Sequence, residues 1–139
     1  MIFWDSSALV SLLVDESDSA QRKNLLRDDS QMAVWWATVV EVESALQRRL
    51  REGSLDADSI RITRQRLVEL SQSWHEVNTT AAVRKLALRL LRTHPLRAAD
   101  SMQLAAALAL EAGGYHNLAF ACADQRLSTA AELEGLVAI

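Results

Sequence analysis

Short apolar runs separated by helix-length segments recur along this sequence, and that alternation limits the folds open to it. Ile2-Phe3-Trp4, Met32 to Trp36, Trp74 to Val77, Leu118 to Ala123 and Leu136 to Ile139 are brief and apolar or β-prone, and read as strands. Between them the pattern predicts helices over Ala8 to Val14, Ser19 to Arg27, Thr38 to Glu52, about Ser59 to Leu70, Thr79 or Thr80 to Leu91, and Ala99 to Ala112. A short helix is expected after Asp124. Asp56 or Asp58 supplies a cap, and Gly53, Pro95 and Gly113-Gly114 supply stops. Strands joined through helices need crossover connections, so the sheet is mostly parallel and covered on both faces. The expectation is one α/β domain over residues 1–139, three layers deep (α/β/α) around a short, mostly parallel central sheet.

Composition removes several classes of function. The chain has 139 residues, 50% hydrophobic and 24% charged, enough for one sizeable core in an ordinary soluble domain. One proline and four glycines argue against linkers or low-complexity tails. No apolar run approaches the ~18 residues of a membrane span, and Met1-Ile2-Phe3-Trp4-Asp5 lacks a basic leader. Cys122 is the single cysteine, which forbids an internal disulfide and fits a cytoplasmic setting. His75, His94 and His116 stand too far apart for a zinc set. The absence of a glycine-rich phosphate loop excludes nucleotide hydrolases. A receiver domain needs adjacent acids after its first strand and a lysine after its last; here Ser6 and Ser7 follow Asp5, and the only lysines are Lys23 and Lys85. A haloacid-dehalogenase-type phosphatase needs Asp-x-Asp, and Ser7 occupies the second place.

Open α/β sheets bind ligands beyond the carboxyl ends of their strands. Asp5 follows the first strand, Asp124 follows the strand ending at Ala123, and Glu41 lies in the first turn after the Met32 to Trp36 run. Asp100 lies in the first turn of the alanine-rich helix and can join them. Carboxylates gathered this way repel one another. A hard cation such as Mg²⁺ relieves the repulsion and suits in-line phosphoryl displacement. Each acid also has a purely structural reading: Asp5 and Asp124 as helix caps, Thr38-Val39-Val40-Glu41 as a capping box, Asp100 as a partner of the helix dipole. On that alternative the protein is a non-catalytic binding scaffold. Glu43 competes with Glu41, because the two lie about 200° apart around a helix and only one can face the others.

The net charge of −3 conceals a partition. Residues 1–43 carry three basic and eight acidic side chains, residues 44–97 eleven and five, and residues 98–139 one and five. Thirteen of the fifteen basic residues are arginine, among them Arg48, Arg49, Arg51, Arg61, Arg64 and Arg66. Their planar forks suit phosphate oxygens, so this middle stretch is the candidate guide for a nucleic-acid backbone, or else a solvated helix face.

Asp5-Ser6-Ser7-Ala8-Leu9 resembles the opening motif of PIN-domain nucleases. Thr38-Val39-Val40-Glu41 resembles the second acidic motif of that family, Leu96 to Ala107 the third, and Ala123-Asp124-Gln125-Arg126-Leu127 the fourth. The compact single-domain form is similar to the VapC toxins of type II toxin–antitoxin pairs. The resemblance implies a PIN-like fold and a Mg²⁺- or Mn²⁺-dependent endoribonuclease that cleaves RNA phosphodiesters with metal-activated water. It further implies a homodimer held inactive by a cognate VapB-type antitoxin. Asp5 and Asp100 would be direct metal ligands, Glu41 and Asp124 would complete the acidic pocket, and Ser7 would orient Asp5. Arg97 and Arg126, beside the third and fourth acids, would hold phosphate or tune the carboxylates, or sit plainly at the surface. The pattern departs at Cys122, where many members have Thr or Ser and where a thiol donates only weakly. Trp35 and Trp36 read as core and edge packing rather than a base-stacking platform.

Overall fold

The computed structural model describes Met1 to Ile139. Five strands, β1 (Ile2–Trp4), β2 (Met32–Trp35), β3 (His75–Val77), β4 (Ala119–Ala121) and β5 (Val137–Ala138), form one sheet in the order β3-β2-β1-β4-β5. Every neighbouring pair is parallel. Seven helices connect and cover them: α1 (Ser6–Leu13), α2 (Ser19–Asp28), α3 (Thr38–Glu52), α4 (Ala57–Ser71), α5 (Ala81–Thr93), α6 (Ala98–Ala112) and α7 (Gln125–Leu133). β1 lies at the centre, with Ile2 opposite both Met32 and Ala119.

Alternation along the strands separates two cores. Phe3, Ala33, Trp35 and Phe120 point into the layer of α5, α6 and α7. Ile2, Trp4, Met32, Val34 and Ala121 point the other way, onto α1, α3 and α4. Both faces are buried along β1, β2 and β4, which is why those three strands are continuously apolar, whereas the edge strand β3 carries His75 and Glu76. Phe3 and Phe120 stack across the β1–β4 pair with ring centroids 5.6 Å apart. The architecture is the three-layer α/β/α arrangement.

Side-chain caps set several helix starts. Asp5, Asp56, Thr80 and Asp124 accept hydrogen bonds from the backbone N–H groups of Ser7, Ser59, Val83 and Leu127. Two expected boundaries move for this reason. α1 starts at Ser6 rather than Ala8 because Asp5 caps it directly, and α4 starts at Ala57 because Asp56, not Asp58, is its cap. The expected strand to Trp36 stops at Trp35, since Ala37 already has helical backbone and Trp36 stands exposed in the turn. Gly53 closes α3 at a φ of 74°, a left-handed value that disfavours side chains, with its N–H bonded to the carbonyls of Arg49 and Leu50.

The packing yields a contrast in stability. Phe3→Ala removes a fully buried ring and is expected to cost about 3–5 kcal/mol in urea unfolding. Leu133→Ala, on a side chain 73% exposed, should stay within about 0.5 kcal/mol of the parent.

Candidate active site

Because all the strands run the same way, their carboxyl ends and the following helix starts share one edge. An open cleft of about 440 Å³ lies at that edge, lined by Asp5, Glu41, Asp100 and Asp124 together with Ser6, Ser7, Glu16, Arg48 and Arg49. Asp5 arrives from the end of β1, Glu41 from the first turn of α3, Asp100 from the first turn of α6 and Asp124 from the cap of α7.

Asp5 is the deepest of the four, only 2% exposed. Its Oδ2 accepts from the Ser7 backbone N–H at 2.9 Å and from the Ser7 hydroxyl. Burial pushes its carboxyl up to about 6; the Ser7 bonds oppose that rise, and the nearby charges of Glu41 and Asp100 add to it. The Ser7 hydroxyl in turn accepts from the Ala123 N–H at 2.9 Å, tying the first acid to the loop that carries the fourth. Cys122 stands beneath this pair. Its thiol lies 3.7 Å from Asp5 Oδ2 and accepts from the Asp124 N–H at 3.3 Å. Burial, then the charge of Asp5, pushes the thiol up to about 12, so it stays protonated and able to donate.

Glu41 Oε2 accepts from the Ser6 hydroxyl at 2.7 Å and from Gln103 Nε2 at 3.1 Å. Glu43 points elsewhere: Arg64 and Gln47 bind it, and the Arg64 guanidinium foremost holds its carboxyl down at about 2. The capping-box alternative for Glu41 is not realised, because α3 is entered through Ala37 without a side-chain cap. For Asp5 and Asp124 the cap and the cleft are compatible. Asp124 Oδ1 receives the Leu127 N–H, and Oδ2 has no protein donor. Asp5 Oδ1, Glu41 Oε1 and both Asp100 oxygens are likewise without protein donors. None of them is among the fully buried orphan atoms of the molecule, which are Trp4 Nε1, Arg49 Nη1 and Gln103 Oε1. They open onto the cleft.

No three His, Cys, Asp or Glu side chains converge closely enough to cage a bare ion. The spacing suits a hydrated hard cation, which keeps several waters and takes only one or two carboxylates directly. Free carboxylate oxygens around a buried acid with a raised pKa are a donor set of that chemistry.

Arg97 and Arg126 do not line the cleft; both are exposed, and Arg126 borders a separate shallow hollow with His94 and Pro95. The guanidiniums that do line it are Arg48, exposed, and Arg49, whose Nη2 pairs with Glu16. Both stand in the arginine run that composition singles out. Ser6 and Gln103 are polar partners of Glu41 that motif spacing does not reveal, since neither carries charge and Gln103 sits within an alanine- and leucine-rich helix.

Known proteins resemble this chain in sequence and in fold. A PIN domain model matches residues 2–133, and the chain belongs to the PIN-domain family. Ribonuclease VapC45 and Ribonuclease VapC49, from two strains of Mycobacterium tuberculosis, are each 31% identical to it over 142 residues, covering 97% of this chain and 92% of each relative. Within the family it stands with the VapC ribonucleases. Among solved structures, the sarcin–ricin loop cleaving toxin VapC20 of M. tuberculosis superposes with a TM-score of 0.70 at 18% identity, over 99% of this chain and 97% of that one. PAE2754 from Pyrobaculum aerophilum gives 0.69 at 20% identity, over 99% and 89%. A toxin–antitoxin complex from Klebsiella pneumoniae gives 0.65 at 17% identity, over 91% and 88%.

The raised pKa of Asp5 has a stability consequence. The native carboxyl holds its proton more tightly than the unfolded one, so the contribution of Asp5 to native stability declines as pH rises from about 4 to 6. In metal-free buffer near neutral pH, Asp5→Asn is expected to stabilise the fold by about 1–3 kcal/mol. That advantage should shrink as pH falls through 6 toward the ordinary aspartate value of 3.8, as native Asp5 takes up its proton. Urea titrations across this range check it; a gap independent of pH would contradict it.

Proposed function

We propose that this protein is a divalent-metal-dependent endoribonuclease, the toxin of a toxin–antitoxin pair. The observation that carries the reading is that four acids from four separate segments open unpartnered oxygens onto one cleft at the carboxyl edge of the sheet. Asp5 and Asp100 would hold Mg²⁺ or Mn²⁺ directly, and Glu41 and Asp124 would act through water or a further ion. The metal would neutralise the acids and make water nucleophilic enough for in-line displacement at phosphorus.

The chain's own residues perform the rest. Ser7 fixes the Asp5 carboxylate by two bonds to one oxygen, leaving the other for the cleft. Without a counter-charge the cleft repels an RNA backbone, so cation and substrate enter it as partners. The exposed Arg48 at the rim draws phosphates toward the acids, and the arginines of α3 and α4 extend that attraction along the surface. The names of the curated relatives support RNA as the substrate. The toxin–antitoxin complex among the structural neighbours supports a cognate VapB-type antitoxin as the partner. Trp36, Val40 and Met102, all exposed and apolar, supply surface for a homodimer. No helix is long and apolar enough to cross a membrane.

Defined RNAs incubated with purified protein test the reading. Cleavage should require Mg²⁺ or Mn²⁺ and stop with EDTA, and Asp100→Asn should lower the rate by about 100-fold or more while the fold survives. Cleavage that persists in EDTA, or an unimpaired Asp100→Asn variant, would overturn it.

A further inference from the structure

Gln103 is completely buried in the middle of α6, among Leu104, Ala105, Ala106 and Ala107. A long polar side chain in that setting is unfavourable unless its amide is satisfied, and here it is only half satisfied. Nε2 donates to Thr38 Oγ1 at 3.2 Å and to Glu41 Oε2 at 3.1 Å, while Oε1 has no partner. The orientation of the amide follows from chemistry: an ionised carboxylate only accepts, so the NH₂ end must face Glu41. Leucine or methionine would fill similar space without stranding an oxygen, so packing alone does not account for this residue.

Its position does. Both donors reaching Glu41, the Ser6 hydroxyl from α1 and the Gln103 amide from α6, meet the same oxygen, Oε2. Two donors from different helices fix the plane of the carboxylate, and Oε1 is left without a protein partner on a residue that lines the cleft. Asp5 is treated in the same way by Ser7, through the hydroxyl and the backbone N–H. The structure therefore has two clamped acids, each with one oxygen bound and one free. We propose that Gln103, together with Ser6, is a positioning pair that aims the free oxygen of Glu41 at the hydrated cation, setting metal affinity and turnover without touching RNA. The proposal rests on the metal-dependent reading of the cleft.

Gln103→Leu and Gln103→Met both remove the donors while keeping the core filled, and Ser6→Ala removes the second donor from outside the core. Mn²⁺ binding by calorimetry is measured beside kcat and KM on one defined RNA, with Tm as the control for folding. The expected result for either Gln103 variant is an unchanged or raised Tm, Mn²⁺ affinity and kcat each lowered about 10- to 100-fold, and KM for RNA within about twofold. Ser6→Ala should show a smaller loss of the same kind. In a Glu41→Gln background, Gln103→Leu should add no further loss, because its target carboxylate is gone. Folded Gln103 variants with parental Mn²⁺ affinity and kcat would overturn the proposal, as would a full additive loss in the Glu41→Gln background. If the parent protein itself binds no Mn²⁺ and cleaves no RNA, the functional reading fails first, and that outcome is distinct from a parent that works and a Gln103 variant that works equally well.

Discussion

A carboxylate at the end of a central strand meets two opposing demands. Asp5 caps α1 and so must stay against the end of the sheet, where burial disfavours its charge. It is also held near Glu41 and Asp100, whose charges disfavour it further. No basic side chain hydrogen-bonds to it; its donors are Ser7 and the weak thiol of Cys122. The proposed divalent cation would relieve that conflict, since it carries the opposite charge and prefers oxygen ligands. The parallel sheet is what makes this possible. With β1 at its centre and every strand pointing the same way, segments far apart in sequence deliver their acids to one edge.

Around that conflict the chain divides the labour of three of the four acids between their two oxygens. Asp124 gives Oδ1 to the start of α7, Asp5 gives Oδ2 to the start of α1, and Glu41 gives Oε2 to Ser6 and Gln103. Capping and ligand binding are commonly treated as rival explanations for an acid at a helix start. Here the same side chain has room for both, because a carboxylate has acceptors to spare. Cys122 fits the same scheme: the thiol links Asp5 to the Asp124 backbone as a weak donor and acceptor, and its raised pKa keeps it from adding another negative charge.

Charge is also organised at longer range. The acids face inward at the cleft, while arginines of α3 and α4 lie outward or toward the rim, several of them paired with carboxylates of their own, as Arg64 is with Glu43 and Arg49 with Glu16. A polyanion approaching this surface meets attraction at the periphery and repulsion at the centre until a cation neutralises the acids. Such a field favours a substrate that is long and phosphate-bearing over a small anion that must sit wholly within the cleft.

By itself the sequence determined the layered α/β plan, the five strand positions and the four acids, three of them after strands and Asp100 at a helix start. Strands buried on both faces must be continuously apolar, and helix starts must be capped, so both leave local marks that need no coordinates to read. Tertiary structure alone decided which of Glu41 and Glu43 faces the cleft. That depends on the rotation of α3, set by Val42 and Leu46 entering the core, and both glutamates are locally acceptable. It likewise decided that Arg48 and Arg49, rather than Arg97 and Arg126, line the cleft. Proximity along the chain to an acid says nothing about which side of a helix or loop a long side chain takes. Gln103 was the least legible of all. A neutral amide in an alanine-rich helix carries no periodic or charge signal, and its partners lie 65 and 62 residues away on another helix. Contacts between distant segments come from packing, and packing is a property of the whole fold rather than of any window of sequence.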